Sequence, residues 1–489
     1  MNICELIKIL PGLISVEGPL DVKVNSVVDD SRCAKNGALF VAVTGENFDG
    51  HDFIHDAIKF GAKAVIGEKS LHFTNDITYI RVKNSRKALA KSSAWFYGFP
   101  ADKLKLIGVT GTSGKTTTTY LIRAMLNEVG ARSGLIGTIA NVINDKQLPT
   151  SFTTPGALEL NQLFLQMLEH NVDYVVMEVS SHSLKLHRVE GLQFQVGVFT
   201  NLTRDHLDFH KSFEDYFSSK QKLFQQSKRA VINIDDDSGK KLLDAINVPA
   251  LTFGIENSAD LIAQNVRQSS KGVFYDLIYK DKKYSVSYGV PGLFSVYNSL
   301  AALAAGISLG FAMDSLIKAL QNVEGVPGRF ELIKNDRGII VIVDYAHKPD
   351  GLKNVLYTMR EFSKGRIITV FGCGGDRDRG KRPIMGKIST ELSDFTIITS
   401  DNPRGEDPEA IIREIEKGAV GKNYMKIPDR QEAIKAALSI AKKGDAVLIA
   451  GKGHETYQII GDKKIHFDDR EIAKEFLYGG GASDENIKP

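Results

Sequence analysis

Cysteine is scarce in this 489-residue chain: only Cys4, Cys33 and Cys373 occur, far apart in sequence. That excludes a disulfide framework, gives no metal-ligand spacing and suits a reducing compartment. An excess of one charge is also lacking. Lys+Arg is 62 and Asp+Glu is 59, a net +3, which argues against a protein built to coat nucleic acid. The start, Met1-Asn2-Ile3-Cys4-Glu5, has an early acid and no basic-then-apolar signal layout. The stretch most like a membrane span, 290–313, is uncharged but contains Pro291, Gly292, Asn298, Gly306 and Gly310. It reads as a loop followed by a buried helix, with no membrane insertion. No internal repeat or low-complexity segment is visible, and Gly479-Gly480-Gly481-Ala482-Ser483-Asp484 is expected to fray. What is present is an ordinary globular balance, 43% hydrophobic and 25% charged, which excludes wholesale disorder. The expectation is a soluble cytoplasmic monomer of about two to four domains.

Three textures divide the chain. Residues 1–100 mix short strand-like runs, 38–43 and 64–66, with helical pieces such as 53–60. Residues 101–328 alternate apolar β runs (104–109, 174–177, 196–199, 230–234) with helix-prone segments. Residues 329–489 do the same with runs at 339–343, 367–371, 396–398 and 446–449. The predicted fold is α/β in three domains. A small N-terminal α/β domain precedes a central, mostly parallel sheet of P-loop ATPase type and a C-terminal doubly wound, Rossmann-like sheet.

The strongest chemical signal is Gly108-Val109-Thr110-Gly111-Thr112-Ser113-Gly114-Lys115-Thr116-Thr117. A strand leads into a glycine loop that opens a helix. Backbone N–H groups of such a loop surround phosphate oxygens, and the helix N-terminus favours their charge. Lys115 would contact the terminal phosphates and the Thr116 hydroxyl would face Mg²⁺. Val109 stands where the general P-loop pattern has its first glycine. Glu178, in Met177-Glu178-Val179-Ser180-Ser181-His182, sits at a strand end, where a carboxylate suits either a hydrated Mg²⁺ or a surface salt bridge. His206 and His210 lie four apart, yet no Glu follows His206 and no Cys is near, so zinc is disfavoured. His206 reads as a ligand of a second Mg²⁺ or as a structural histidine. Lys220, taken alone, reads as a solvated helix lysine.

In the last domain each apolar run ends in a loop rich in Gly and charge: Asp344-Tyr345-Ala346-His347, Gly372-Cys373-Gly374-Gly375-Asp376, Ser400-Asp401-Asn402-Pro403-Arg404 and Gly451-Lys452-Gly453-His454-Glu455. Ligands of open α/β sheets bind at carboxyl strand ends, so four such loops suggest one site.

Across nearly its whole length the sequence resembles the Mur ligase family. The resemblance rests on Thr110–Thr117, Glu178–His182, Thr200–His210, Asn298, Gly328-Arg329, Asp344–His347 and Gly372–Pro383. Thr153-Thr154-Pro155 and Ser180-Ser181-His182 are similar to motifs of the member that adds the third peptide residue to UDP-N-acetylmuramoyl-L-alanyl-D-glutamate. Ser400–Arg404 resembles the loop of the version that adds meso-diaminopimelate. The resemblance implies that Lys220 is carbamylated and helps hold a second Mg²⁺, a carbamate turning a cation into an anion with oxygens. It implies that Gly111, Thr112, Ser113, Gly114, Lys115, Thr116 and Thr117, with Asn298, Arg329, Asp344 and His347, surround ATP. Ser31, Glu46, Asn47 and Phe48 would hold the uridine diphosphate end, and Thr153, Thr154, Ser180 and Arg188 the muramoyl-dipeptide. Leu186 and Phe152 stand where some relatives carry Gln and Asn. The amino-acid substrate has two carboxylates and two amines. Arg377 and Arg404 offer planar forks for the carboxylates. Asp401 and Glu455 can accept from an ammonium, Asn402 can serve either group, and the resemblance implies that Pro403 and Gly451 also contact the amino-acid substrate. Arg377 also reads as part of an exposed charge cluster.

The implied reaction is phosphoryl transfer from ATP to the γ-carboxylate of D-glutamate. The amine then attacks the acyl phosphate, with Lys115 and two Mg²⁺ ions offsetting the meeting of two polyanions. Lys115, Glu178, His206 and Lys220 carry the catalytic load, and Thr116, Glu178, His206 and the Lys220 carbamate are the metal ligands expected. Its substrates are small molecules, with no nucleic acid partner. Phosphate and amine loops fall in different domains, so the last domain is expected to close on the middle one and exclude water. Rival readings are the L-lysine-adding member, folylpolyglutamate synthetase, and a P-loop binding or regulatory protein without ligase activity.

Overall fold

The structure, a computed structural model, describes residues 1–45, 47–73, 76–206 and 209–478. Glu46 and the Gly479–Asp484 tail lie outside these residues. The chain forms two compact units, Met1–Ile262 with Leu300–Ala319, and Ala263–Ser299 with Leu320–Pro489.

The first unit contains a five-stranded sheet of β1 (Leu13–Glu17), β2 (Ser26–Val28), β3 (Ala38–Val41), β4 (Ala62–Gly67) and β5 (Thr78–Val82), in the order β1-β5-β4-β3-β2. β2 to β5 run parallel and β1 lies antiparallel on the edge. Because side chains alternate along a strand, Leu39 and Val41 pack with Trp95 on one face. Ala38 and Phe40 pack with Ile54 and Ala57 on the other. Both faces are covered, as a parallel sheet requires.

The same unit holds β6 (Lys105–Thr110), β7 (Ser133–Ile136), β8 (Asn141–Ile143), β9 (Lys146–Leu148), β10 (Tyr174–Glu178), β11 (Phe194–Phe199), β12 (Ala230–Asn233) and β13 (Ala250–Gly254). Their order is β13-β12-β11-β6-β10-β7-β8-β9, parallel from β13 to β7 and antiparallel in the last two pairings. The register fixes the site. Val109 of β6 stands opposite Glu178 of β10 on one side and Val198 of β11 on the other. The loops after these three strands therefore leave the sheet at one edge.

In the second unit, β15 (Gly272–Tyr279) and β16 (Lys282–Tyr288) pair antiparallel beside β14 (Leu261–Ser269), most of which lies in this unit. This meander carries none of the candidate site residues and lies outside the β runs read from the sequence. A separate sheet is built from β17 (Glu331–Leu332), β18 (Ile340–Asp344), β19 (Ile367–Phe371), β20 (Phe395–Ile398), β21 (Tyr424–Lys426) and β22 (Ala446–Ala450). It has the order β17-β18-β22-β19-β20-β21 and is parallel except at β17. A hairpin, β23 (Tyr457–Ile460) and β24 (Lys463–His466), follows. Val341, Val343, Ile368, Val370, Val447 and Ile449 form its core with Ala433, Ile434, Ala437 and Leu438 of the helix Arg430–Ile440.

The uncharged 290–313 stretch contains the helix Leu293–Ser308, with Leu300 to Ala305 buried. Among the described residues, no helix is long and apolar enough to cross a membrane.

Candidate active site

The glycine loop is dictated by close approach. Gly111 has φ 155°, and a Cβ there would lie 1.9 Å from Thr200 Oγ1. Gly114, at φ 83°, is the left-handed residue from which the helix Lys115–Glu128 starts, a conformation costly for other residues. The loop is tied to the end of β11. Thr112 N donates to Asn201 O at 3.0 Å, Ser113 N to Asn201 Oδ1 at 2.9 Å, and Thr200 Oγ1 to Ser113 O at 2.7 Å. Lys115 Nζ donates to the carbonyls of Gly111 and Thr112, each at 2.9 Å. Thr117 follows Thr116 in the first turn of that helix.

Glu178, at the end of β10, is buried rather than engaged in a surface salt bridge. Its carboxylate accepts from Thr116 Oγ1 at 3.0 Å, from Thr138 N at 2.8 Å and from Thr138 Oγ1 at 3.1 Å. A hydroxyl and a carboxylate are thereby presented together beside the phosphate loop. Mg²⁺ suits this, since it binds through one or two carboxylates plus phosphates and water rather than an all-protein cage. Among the described residues, no three His, Cys, Asp or Glu side chains group as a preformed metal centre.

Lys220 overturns its reading as a solvated helix lysine. On the helix Phe213–Gln225 it is 2% exposed, in the buried stripe of Tyr216, Ser219, Leu223 and Phe224. Its Nζ donates to Gly111 O at 2.8 Å and lies 4.6 Å from the centre of the Tyr216 ring. Burial first, then the charge of Lys115, holds its pKa well below the usual lysine value. His206 takes a left-handed conformation, φ 56°, with its ring 4.8 Å from that of His182. His210 is a buried histidine whose Nε2 lies 2.9 Å from Ser181 Oγ; burial pushes it down to about 4.

A cavity of about 500 Å³ brings these groups together. Gly111, Lys115, Lys220 and His206 line it, and so do Thr153, Thr154, Ser180 and Arg188. Thr154 Oγ1 donates to Glu178 O at 2.8 Å, and Arg188 donates to Thr154 O at 2.9 Å with its guanidinium 4.9 Å from the Phe152 ring. Leu186 lines the wall, as does Phe152. Two further lining residues escape sequence reasoning. Tyr216 shares a 3.1 Å hydrogen bond with Thr112 Oγ1, and Arg86 extends from the helix Ser85–Phe96 beside the first sheet.

Ser31 is buried in the short helix after β2, and Asn47 and the exposed Phe48 follow β3. β2 and β3 are parallel neighbours, so both loops leave the first sheet at one edge, though none of these residues lines the cavity above.

The second unit holds the other predicted residues. Asp344, ending β18, accepts from Phe330 N at 2.7 Å and Ala346 N at 2.8 Å; burial raises its pKa against the pull of Arg329. Arg329 stacks 4.7 Å over Tyr345, and burial pushes His347 down to about 4. Asn298 is buried on the helix Leu293–Ser308. At the ends of β20 and β22, Asn402 Nδ2 donates to Glu455 Oε2 at 2.8 Å. Asp401 and Pro403 are buried beside them, and a Cβ on Gly451 would lie 2.7 Å from Asp401 Oδ2. Arg404 Nη1 donates to Gly375 O at 2.9 Å. Arg377 is exposed and donates to Asp376 O at 3.2 Å. The fully buried pair Arg430–Asp469, at 2.7 Å, holds both strand ends, Arg430 also donating to Ser400 O and Ala450 O.

Three family models match: Mur ligase family, catalytic domain over residues 23–97, Mur ligase middle domain over 109–306, and Mur ligase, glutamate ligase domain over 328–453. The UDP-N-acetylmuramoyl-L-alanyl-D-glutamate--2,6-diaminopimelate ligase of Clostridium tetani is 49% identical over 482 residues, 98% of this chain and 99% of that one. The chain belongs to the Mur ligase family. The protein of the same name from Clostridioides difficile is 49% identical over 481 residues, 97% of this Mur ligase and 99% of its relative. A solved structure of a ligase with that name superposes with a TM-score of 0.72 at 32% identity, covering 98% of this chain and 99% of that one.

Proposed function

We propose that this Mur ligase couples ATP cleavage, to ADP and phosphate, to amide formation between UDP-N-acetylmuramoyl-L-alanyl-D-glutamate and meso-2,6-diaminopimelate, a step of peptidoglycan biosynthesis. The observation that carries the reading is the single cavity in which Lys115 and Lys220 face Thr154, Ser180 and Arg188. A phosphoryl donor and a carboxylate acceptor need one such chamber. The identity to ligases so named supports the choice of substrates.

The chemistry follows from the groups present. The γ-carboxylate attacks the terminal phosphorus of ATP, the bond to ADP breaks, and an acyl phosphate forms. Loop N–H groups and the Lys115 ammonium compensate charge on the transferring group. No serine or cysteine nucleophile is required, because the substrate carboxylate is the nucleophile. The amine then adds to the acyl carbon, and the tetrahedral intermediate loses phosphate and a proton to leave the amide. Thr116 and Glu178 would hold one Mg²⁺, and His206 with a Lys220 carbamate a second. Bound there, Mg²⁺ supplies charge neutralisation between the two polyanions. Arg404, Asn402 and Glu455 offer the cation, amide and anion that an amino acid with two ammonium and two carboxylate groups calls for, with Asp401, Pro403 and Gly451 shaping the pocket and Arg377 at its exposed edge. Asn298, Arg329, Asp344 and His347 serve the nucleotide, and Ser31, Glu46, Asn47 and Phe48 the uridine diphosphate.

The family matches support a division into a UDP-binding domain, 1–100, an ATP-binding domain, 101–328, and an amino-acid-binding domain, 329–489. The enzyme acts on small molecules as a cytoplasmic monomer. An amine panel read by phosphate release tests the function. Release with meso-diaminopimelate far above that with L-lysine is expected. Preference for lysine replaces the substrate, coupling of glutamate to a folate turns the reading to folylpolyglutamate synthesis, and nucleotide binding without any amine-dependent release removes the ligase.

A further inference from the structure

Lys452 is an ammonium with no exposed side-chain surface, an uncommon situation for lysine. Its Nζ lies 3.2 Å from Asn402 Oδ1 and 3.2 Å from Glu455 Oε2, and 5.5 Å from the centre of the Tyr457 ring. Asn402 Oδ1 takes a second hydrogen bond, from Ile459 N at 3.0 Å, while Asn402 Nδ2 donates to Glu455 Oε2 at 2.8 Å. An amide oxygen has two lone pairs and its nitrogen two protons. Both lone pairs are engaged, so turning the amide over would set its N–H groups against two donors. Among the described residues, what stays available is one Asn402 N–H and the Glu455 Oε1 lone pairs.

We infer that Lys452 is a positioning residue for the amino-acid substrate. By pinning the Asn402 amide oxygen and one Glu455 oxygen, it makes the pocket show a donor beside an anionic acceptor, the pair that fits the carboxylate and ammonium of an amino-acid end. The inference rests on the substrate reading above. The alternative amide orientation would show an acceptor beside the anion and reject a carboxylate.

The surroundings of Glu455 supply a readout. Burial raises its pKa, and Lys452 is the chief opposing influence. The other groups facing it are Asp401 after β20, Tyr345 after β18, Tyr457 on β23 and the buried Arg430. Asp401 adds to the rise. Without the Lys452 charge the carboxyl moves further toward protonation, so substrate recognition acquires a dependence on pH.

Lys452→Gln and Lys452→Arg test this with the full-length enzyme. In Lys452→Gln the KM for meso-diaminopimelate is expected to rise about tenfold or more, with the KM for ATP moving less than about twofold. The amino-acid KM should then fall as pH rises through the raised Glu455 carboxyl, more steeply than in the parent or in Lys452→Arg. An unchanged amino-acid KM with a flat profile overturns the inference, as does an equal rise in both KM values. If Lys452→Gln does not fold, carboxyl-¹³C glutamate NMR of the parent decides, with Glu455 assigned by comparison with Glu455→Gln. An ionised Glu455 at neutral pH supports the role, and a protonated one removes it. A parent that ignores diaminopimelate sinks the function reading instead and leaves the NMR result to judge Lys452.

Discussion

Lys115 and Lys220 direct their amino groups at one carbonyl oxygen, that of Gly111, at 2.9 and 2.8 Å. Two ammonium groups on one acceptor repel, and the buried member yields its proton more readily. Lys220 is that member, its pKa driven down by burial and then by Lys115. A neutral amine is the form that adds CO₂, so the carbamate reading acquires a physical basis in the fold.

With ¹³C-bicarbonate, the enzyme should show a carbamate carbon signal that disappears in Lys220→Ala. That variant should lose activity at least about a hundredfold and regain part of it with short carboxylic acids. Full activity of Lys220→Ala without them would remove the carbamate from the mechanism.

Lys115→Ala should lower ATP-dependent phosphate release by about 10²- to 10³-fold, because its charge acts on the transferring phosphoryl group. It should also weaken the carbamate signal, since removing the Lys115 charge lets the Lys220 pKa climb. Near-normal turnover would refute the assignment of the loop.

Arg404→Ala should raise the KM for meso-diaminopimelate about tenfold to a hundredfold, the scale of a lost charged hydrogen bond, and leave the KM for ATP nearly unchanged. Arg404 adopts φ 52° and its backbone N donates to Ile459 O at 3.0 Å. Equal effects on both substrates would mark it as a loop-shaping residue.

Acid should destabilise the protein in a defined window. His210 and His347 are both pushed down to about 4, chiefly by burial, from a reference of 6.5. A depressed histidine favours the folded state while neutral. Its contribution is therefore complete above pH 6.5 and shrinks as pH falls toward 4. The unfolding free energy, read from denaturant titrations, should drop across that range at no more than about 1.4 kcal/mol per pH unit for each histidine. His210→Gln should flatten part of the decline, and an unchanged acid limb would count against His210.

The P-loop is legible because Gly111 and Gly114 are required by a clash and a left-handed turn, requirements that only glycine meets cheaply. The four polar loops of the second unit are legible because parallel strands end at one edge. Lys220 is misread when its charge is weighed alone, although Tyr216, Ser219, Lys220, Leu223 and Phe224 already trace a buried helical stripe. Arg86 and Lys452 are different. One enters the cavity from the helix Ser85–Phe96, beside a separate sheet, and the other is enclosed by β23 and the end of β20, so no local pattern announces either. The β14–β16 meander carries no candidate site residue, and its β15–β16 hairpin is set locally by the two-residue turn at Lys280 and Asp281, with φ 49° and 58°.

The ion pair between Arg430 and Asp469 ties the proposed amino-acid pocket to the helix Asp469–Tyr478. Asp469 opens the helix Asp469–Tyr478, while Arg430 grips the carbonyls of Ser400 and Ala450. Trimming the chain ahead of Asp469 would strand a guanidinium in the interior and slacken both rims of the amino-acid pocket together. Discrimination between amines would then erode while nucleotide capture by the glycine loop persisted. A helix distant in sequence would thus act as the clasp of the proposed amino-acid pocket.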